Sequence, residues 1–270
     1  MNTAVVLLLI LFVLMAAIGG TRGVKSFFTL CLNFITLFIM LGLIVFKLDP
    51  IKVTVFGSII ITSITLFYIN GINRKTVAAL LSVTLVVLLT LLLTYKMGTN
   101  ANIQGFSTEQ SESVAYLTQN VQVNFVKIVI CEILLGLLGA IIDVSISIAS
   151  SMQEIYRHDS LVTRQDLLRS GMKIGRDILG TMTNTLLFAY IGGFLPLIIW
   201  FSKLNYTLSD ILNAKVFVSE VFQILSSGIG IILIIPVTAL ITSAVLFLGR
   251  SQKSESVWDD GDGSERPSKS

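Results

Sequence analysis

Hydrophobic positions along the chain come in long unbroken runs separated by short polar connections. Seven runs stand out, over residues 3 to 20, 27 to 46, 53 to 69, 76 to 95, 125 to 150, 178 to 201 and 221 to 248. Each is long enough to cross the hydrocarbon core of a bilayer, which takes ~20 helical residues at ~1.5 Å per residue. The pattern predicts an all-α fold, a polytopic membrane bundle of about seven transmembrane helices over residues 1 to 250. The first run has no Lys or Arg before Arg22, so it lacks the charged start of a cleavable signal peptide and reads as a retained helix.

The connections are of three kinds. Residues 96 to 124 are rich in Asn, Gln, Ser and Thr, and are too few for a substantial domain of their own. Residues 151 to 177 contain Thr163 followed by Asp166, a helix-start pattern, then Leu167, Leu168 and Met172 on one face; this predicts a short amphipathic helix lying on the membrane surface. The tail, 251 to 270, has no periodic apolar face and is expected to be a disordered cytoplasmic extension.

Composition fixes the class. The 270 residues are 54% hydrophobic and 13% charged, with a mean hydropathy of +0.86, whereas a soluble domain carries about 25% charged residues. A net charge of +3 without a basic, aromatic-interleaved stripe gives no case for nucleic acid. Cys31 and Cys131 both lie within apolar runs, which argues against a disulfide framework or a zinc site. No metal or cofactor is expected.

Lys and Arg in alternate connections predict the orientation. Arg22, Lys25, Arg74, Lys75, Arg157, Arg164, Arg169, Lys173, Arg176, Arg250 and Lys253 fall on one side. Lys47, Lys52, Lys96, Lys127, Lys203 and Lys215 fall on the other. Eleven against six places the N-terminus outside and the C-terminus inside.

Chemistry concentrates in the fifth run. Glu132, Gly136, Gly139, Asp143, Ser147, Ser150 and Glu154 recur every third or fourth residue and form one helical face about 33 Å long. A carboxylate at mid-span costs on the order of 2.5–3.5 kcal/mol, so Asp143 must face protein or water, in an ion or proton role or as a structural hydrogen-bonding group. Glu132 and Glu220 are candidates of the same kind or solvated ends. The sixth run opens Arg176-Asp177 and continues with Gly180, Thr181, Thr183 and Asn184; the seventh carries Glu220, Gln223, Ser227, Gly230 and Thr238, with Pro236 at mid-span. Runs one to four hold no ionisable group away from their ends, so this reading places the chemistry in the second half.

The candidate proton- or ion-coupling residues are therefore Asp143, Glu132, Glu154, Arg176, Asp177, Asn184 and Glu220. Gly136, Gly139, Ser147, Gly180 and Gly230 are expected to serve helix packing. Glu154, Arg176 and Asp177 are also read as a surface ion-pair set, and His158 as a solvated side chain. An intramembrane enzyme is disfavoured. An aspartyl dyad needs two deep carboxyls and only Asp143 is deep; the sole histidine, His158, lies outside the runs.

The stretch Gly139-Ala-Ile-Ile-Asp143-Val-Ser-Ile-Ser147-Ile-Ala-Ser150-Ser151 with Glu154, then Ser170-Gly171, Ile174-Gly-Arg-Asp177-Ile-Leu-Gly180-Thr-Met-Thr-Asn184 and Ala189-Tyr-Ile-Gly192-Gly, resembles the YibE/F family of bacterial multi-span proteins. Ser227-Gly-Ile-Gly230 and Pro236-Val-Thr238-Ala fit the same resemblance, which is strongest over 125 to 248 and is closest to the shorter, F-type members. It implies a plasma-membrane protein that works beside a longer relative or as a homo-oligomer. In arrangement the second half is also similar to the SecD/SecF and RND membrane repeats, without their large outer domain. That implies a subunit of a proton- or ion-coupled transport or export system. The alternative is a non-transporting accessory or scaffold subunit.

Overall fold

The structure is a computed structural model that describes residues 3–100, 125–159, 161–203 and 206–259. The described chain is a bundle of α-helices: α1 (Thr3–Val45), α2 (Pro50–Asn70), α3 (Arg74–Asn100), α4 (Phe125–His158), α5 (Arg164–Lys203), α6 (Leu208–Asn213) and α7 (Lys215–Asp259). All but α6 are long and apolar enough to cross a membrane.

The first two apolar runs are the arms of one element. α1 breaks at Gly20, whose φ of +54° and ψ of −136° are closed to residues with a Cβ. In a straight helix Phe12 and Phe27 would lie about 22 Å apart. Their ring centroids are 4.8 Å apart, so the second arm folds back on the first. Gly23 completes the turn: a Cβ there would run into the backbone carbonyl of Met15.

Long helices that follow one another in the chain alternate in direction. α1's second arm runs against α2, with Asn33 on Thr65 and Met40 on Gly57. α3 runs against α4, and α5 against both α4 and α7, pairing Tyr190 with Ser227 and Gly175 with Ile148 and Ile235. α4 and α7 are parallel, joined at Ser145 and Thr238 and at the Tyr156 and Phe247 rings. The loops ending at Asp49, Lys127 and Lys215 thus gather at one end of the bundle, and Asn73, His158 and Thr163 at the other.

α4 is the central helix. Ile133, Leu134, Leu137, Ile141, Val144, Ile148 and Met152 are fully buried against α3, α5 and α7. Between apolar helices in lipid the cohesion comes from close packing and a few hydrogen bonds rather than from exclusion of water. Small residues therefore sit where helices touch. A Cβ on Gly175 would strike Ile235, and one on Gly171 would meet Met152 Sδ at 2.5 Å. In the same core, Thr238 donates to Ser145 Oγ (3.1 Å), and Ser145 to the carbonyl of Ala79 (3.4 Å), which ties α7, α4 and α3 together.

Two expectations change. The amphipathic stretch after Thr163 is not a separate surface helix. Thr163 does cap it, its hydroxyl accepting from Asp166 N at 3.2 Å, but the helix continues unbroken as α5 to Lys203. Leu167, Gly171 and Gly175, spaced four apart, bury one stripe against α4 and α7 and so hold these first turns on the bundle. α7 likewise continues to Asp259, beyond the Ser251 at which an unstructured tail was expected. No Gly or Pro lies between Arg250 and Gly261, and an existing helix extends at one hydrogen bond per added residue. Residues 260–270 lie outside the described part, as do 101–124, most of the polar connection 96 to 124.

Candidate functional site

The residues of the fifth-run face lie on the outer side of α4. Along α4, Glu132, Gly136, Gly139, Asp143, Ser147 and Glu154 are exposed, while the residues on either side of each are buried or half-buried. α1 and α2 flank this stripe on one side and α5 on the other, so it forms the floor of an open trough. Its length matches the hydrocarbon thickness, about 33 Å for 22 residue steps.

On one side the stripe opens into a groove of ≈ 350 Å³ lined by α1, α2 and α4. Asp143 and Gly139 lie in it beside Asn33 and Thr65, among Leu30, Phe34, Leu37, Leu138 and other apolar side chains. Asn33 Nδ2 donates to Thr65 Oγ1 at 2.9 Å, and Asn33 Oδ1 is buried with no donor. The groove that Asp143 lines is thus shared with the first two helices. Asn33 and Thr65 are uncharged and escaped a search for ionisable groups; an Asn inside an apolar run was the signal that could have found them.

On the other side, toward the Glu132 end, the structure gathers a second polar set from three helices. Tyr190 Oη lies 2.9 Å from Ser227 Oγ, and a Cβ on Gly136 would meet Tyr190 Oη at 2.7 Å and Gln223 Nε2 at 3.4 Å. Glu132 lies one turn before Gly136 on α4, and Glu220 three residues before Gln223 on α7. The sequence pointed to the two glutamates separately. Tyr190, from an apolar stretch of α5, links this end of α5 to Ser227 on α7 and lies against Gly136 on α4.

The remaining candidates are not drawn into either set. Glu154 is exposed beside His158, Oε1 to Nε2 at 3.0 Å, in place of the expected grouping with Arg176 and Asp177. His158 is solvated, as expected, and also pairs with Glu154. Arg176, Asp177 and Asn184 are exposed along α5. The glycines divide. Gly136 and Gly230 are tight, Gly230 against Leu137 and Thr90, but a Cβ on Gly139 or Gly180 would meet nothing within 4 Å. Those two lie on exposed stripes, as does Ser147, so within this chain none of the three packs a helix pair.

A contact that sequence reasoning missed closes the far end. Lys127 Nζ lies 2.7 Å from Asp49 Oδ2, joining the start of α4 to the cap of α2, where Asp49 Oδ1 accepts from Ile51 N at 3.1 Å. The Lys127 hydrogen bond, with that of Ile51, holds the Asp49 carboxyl below its ordinary value against a smaller opposing effect of burial.

The family model described as YibE/F-like protein matches residues 7–247, which takes in every long helix and both polar sets. No curated protein and no solved structure matches the chain.

Proposed function

The chain belongs to the YibE/F-like family of membrane-helix proteins, and from that premise we propose that it is a subunit of a proton- or ion-coupled transport or export system in the bacterial plasma membrane. The observation that carries this reading is Asp143, a carboxyl at the middle of a helix whose other faces are core, lying open in a groove at mid-bundle. A mid-membrane carboxyl can exchange a proton, and the change of charge alters which packing of the surrounding helices is favoured. Glu132 and Glu220, with Tyr190 beside them, supply a second exchange point along the same stripe. A proton moving between the aqueous end and Asp143 would follow that stripe. Gly136 and Gly139 keep the path between them narrow in side chains.

In this reading the N-terminus is outside and the C-terminus in the cytoplasm, since the basic connections gather at the Thr163 end of the bundle. The chain has no catalytic role and needs no cofactor. Its working partner is a longer member of the family or a second copy of itself.

The test is proton flux in liposomes containing the purified chain, followed with an internal pH dye. Asp143→Asn should insert normally and abolish flux, and Asp143→Glu should keep part of it. Full flux in the Asn variant would return Asp143 to a structural hydrogen bond. A second reading, the non-transporting scaffold, is favoured by the exposed polar stripe of α5, which suits a partner helix. It predicts no flux in any variant and a stable complex in all of them.

A further inference from the structure

A second groove, of ≈ 360 Å³, lies between the second arm of α1 and the first turns of α2. Its walls are Ile39 and Leu43 on α1 and Val53, Phe56 and Ile60 on α2. Met40 makes the floor: its thioether occupies the place that a Cβ on Gly57 would take, so it packs directly on the α2 backbone. Phe56 is 70% exposed and Ile39 57%, so the groove opens sideways to the acyl chains. Its α2 wall runs about 10 Å from Val53 to Ile60, most of the ~15 Å of hydrocarbon in one leaflet.

The polar groups along this groove are Thr36, Asp49 and Lys52, and two of them are spent. Thr36 Oγ1 donates to the carbonyl of Leu32 at 2.8 Å. Asp49 gives Oδ2 to Lys127 Nζ and Oδ1 to Ile51 N. Lys52 acts on that carboxyl only from a distance, as the weakest of the influences on it, and its ammonium makes no hydrogen bond or ion pair among the described residues. The ammonium of Lys47, exposed just before Asp49, makes none either. The mouth of the groove therefore gathers three lysines about one carboxylate. These are three of the six basic residues on the less basic side of the chain, so the cluster is not the bias that sets orientation.

An acyl chain fills an apolar groove of this length that faces lipid, and the mouth selects the headgroup. A zwitterionic headgroup would set its own cation among lysines, with the one carboxylate already bonded. A soluble anion has nothing to place along Leu43, Val53 and Phe56. A second copy of the chain would bring the same three lysines to a symmetric contact. A lipid whose headgroup carries net negative charge answers both the wall and the mouth.

We propose that this groove holds a phospholipid of net negative charge, with one acyl chain between α1 and α2 and its phosphate on Lys52. Lys47 adds to the positive field at the headgroup. The site does not depend on the transport reading. α1 and α2 also carry the hydrogen bond between Asn33 and Thr65 and one wall of the Asp143 groove, so the lipid holds together the two helices that border Asp143.

The experiment is quenching of a single tryptophan by lipids brominated on the acyl chain, with the full chain in phosphatidylcholine vesicles. In a background of Trp200→Phe and Trp258→Phe, Phe56→Trp places the reporter on the groove wall, and Leu8→Trp places one on the exposed first arm of α1. Brominated phosphatidylglycerol should be preferred over brominated phosphatidylcholine by about fivefold at position 56, the worth of one lysine beside an anionic headgroup, and not at position 8. Lys52→Gln should abolish the preference and Lys52→Arg should keep it, which separates loss of the site from loss of the fold. Equal quenching by the two lipids at position 56 would make the groove ordinary boundary lipid and overturn the proposal. So would the same preference at position 8, a general attraction to a basic protein, or a preference that survives Lys52→Gln. Brominated oleate that competes equally with phosphatidylglycerol would overturn the phosphate contact in favour of any anionic amphiphile.

Discussion

Lys127 Nζ meets Asp49 Oδ2 at 2.7 Å, and through it the N-terminal end of α4 is fastened to the N-cap of α2. The two residues lie 78 positions apart, so the contact is a tertiary latch rather than a local turn. Both side chains are about one-third exposed, so the latch is modest in water. Its sign with pH follows from the lowered Asp49 pKa: the contribution is present above the ordinary carboxylate value near 3.8 and is lost as pH falls through the still lower folded value. Asp49→Asn should therefore lower the thermal midpoint in detergent at pH 7, and the difference from wild type should shrink below about pH 4. A difference that is constant down to pH 3 would show that the cap on Ile51, not the ion pair, is what matters. Lys127→Met separates the two, since it keeps the cap.

The packing of α5 onto α7 depends on the absence of a side chain at Gly175. Gly175→Ala puts a methyl into Ile235 and against Ile148 Cδ1, and should cost about 1–3 kcal/mol of bundle stability. Gly42→Ala is the matched control. That glycine lies within α1 with nothing within 4 Å of a Cβ, so alanine there should be neutral or stabilise by up to about 1 kcal/mol through helix propensity. Thermal unfolding of the two variants in one detergent decides it. Equal midpoints would mean that α5 docks more loosely than drawn.

Which end of the bundle faces the cytoplasm is open to chemistry. In a background with Cys31 and Cys131 replaced by alanine, Ser209→Cys and Gln165→Cys lie on exposed residues at opposite ends of the bundle. A membrane-impermeant maleimide applied to intact cells should label position 209, and label 165 only after lysis. Labelling of 165 alone would invert the orientation, and labelling of both from outside would break the alternation of helix ends.

The bundle was legible in the sequence because a span announces itself by length and hydropathy, which depend on no partner. The α4 stripe was legible for a related reason: a helix of fixed period places its polar residues without knowledge of the rest of the fold. What lay across from the stripe was not. Asn33 pairs with Thr65 across 32 residues, and Tyr190 reaches Ser227 across 37. Asn33 and Tyr190 stand out as polar groups in apolar runs, but nothing local names the residue each one meets. The reversal between the first two runs was legible from the break at 21 to 26, but not that it is made by a turn at Gly20 inside one helical element, with Phe12 against Phe27. Gly139 and Gly180 show the limit of spacing. Spacing marks them as packing glycines, but whether a neighbour arrives is a tertiary fact, and here none does within the chain.

The exposed polar stripe of α5 predicts a partner. Thr181 and Thr185 satisfy their hydroxyls on the carbonyls of Ile178 and Thr181, at 2.9 and 2.8 Å, and need nothing more. Asn184 lies between them, exposed, and makes no hydrogen bond among the described residues. Acyl chains cannot pair an amide, and an unpaired polar group in hydrocarbon is costly enough that a second helix carrying its own polar group is favoured there. The open sides of Gly180, Gly192 and Gly193 allow that helix to come close. Native mass measurement of the chain in mild detergent should therefore give a dimer, or a complex with a longer family member when both are expressed. Asn184→Leu should weaken it by roughly 1 kcal/mol, about fivefold in the dissociation constant. Gly180→Leu should weaken it further by holding the helices apart. A wild-type chain that is monomeric at every concentration, and still supports proton flux, would mean that the Asn184 amide is served by water and that one copy is the working unit.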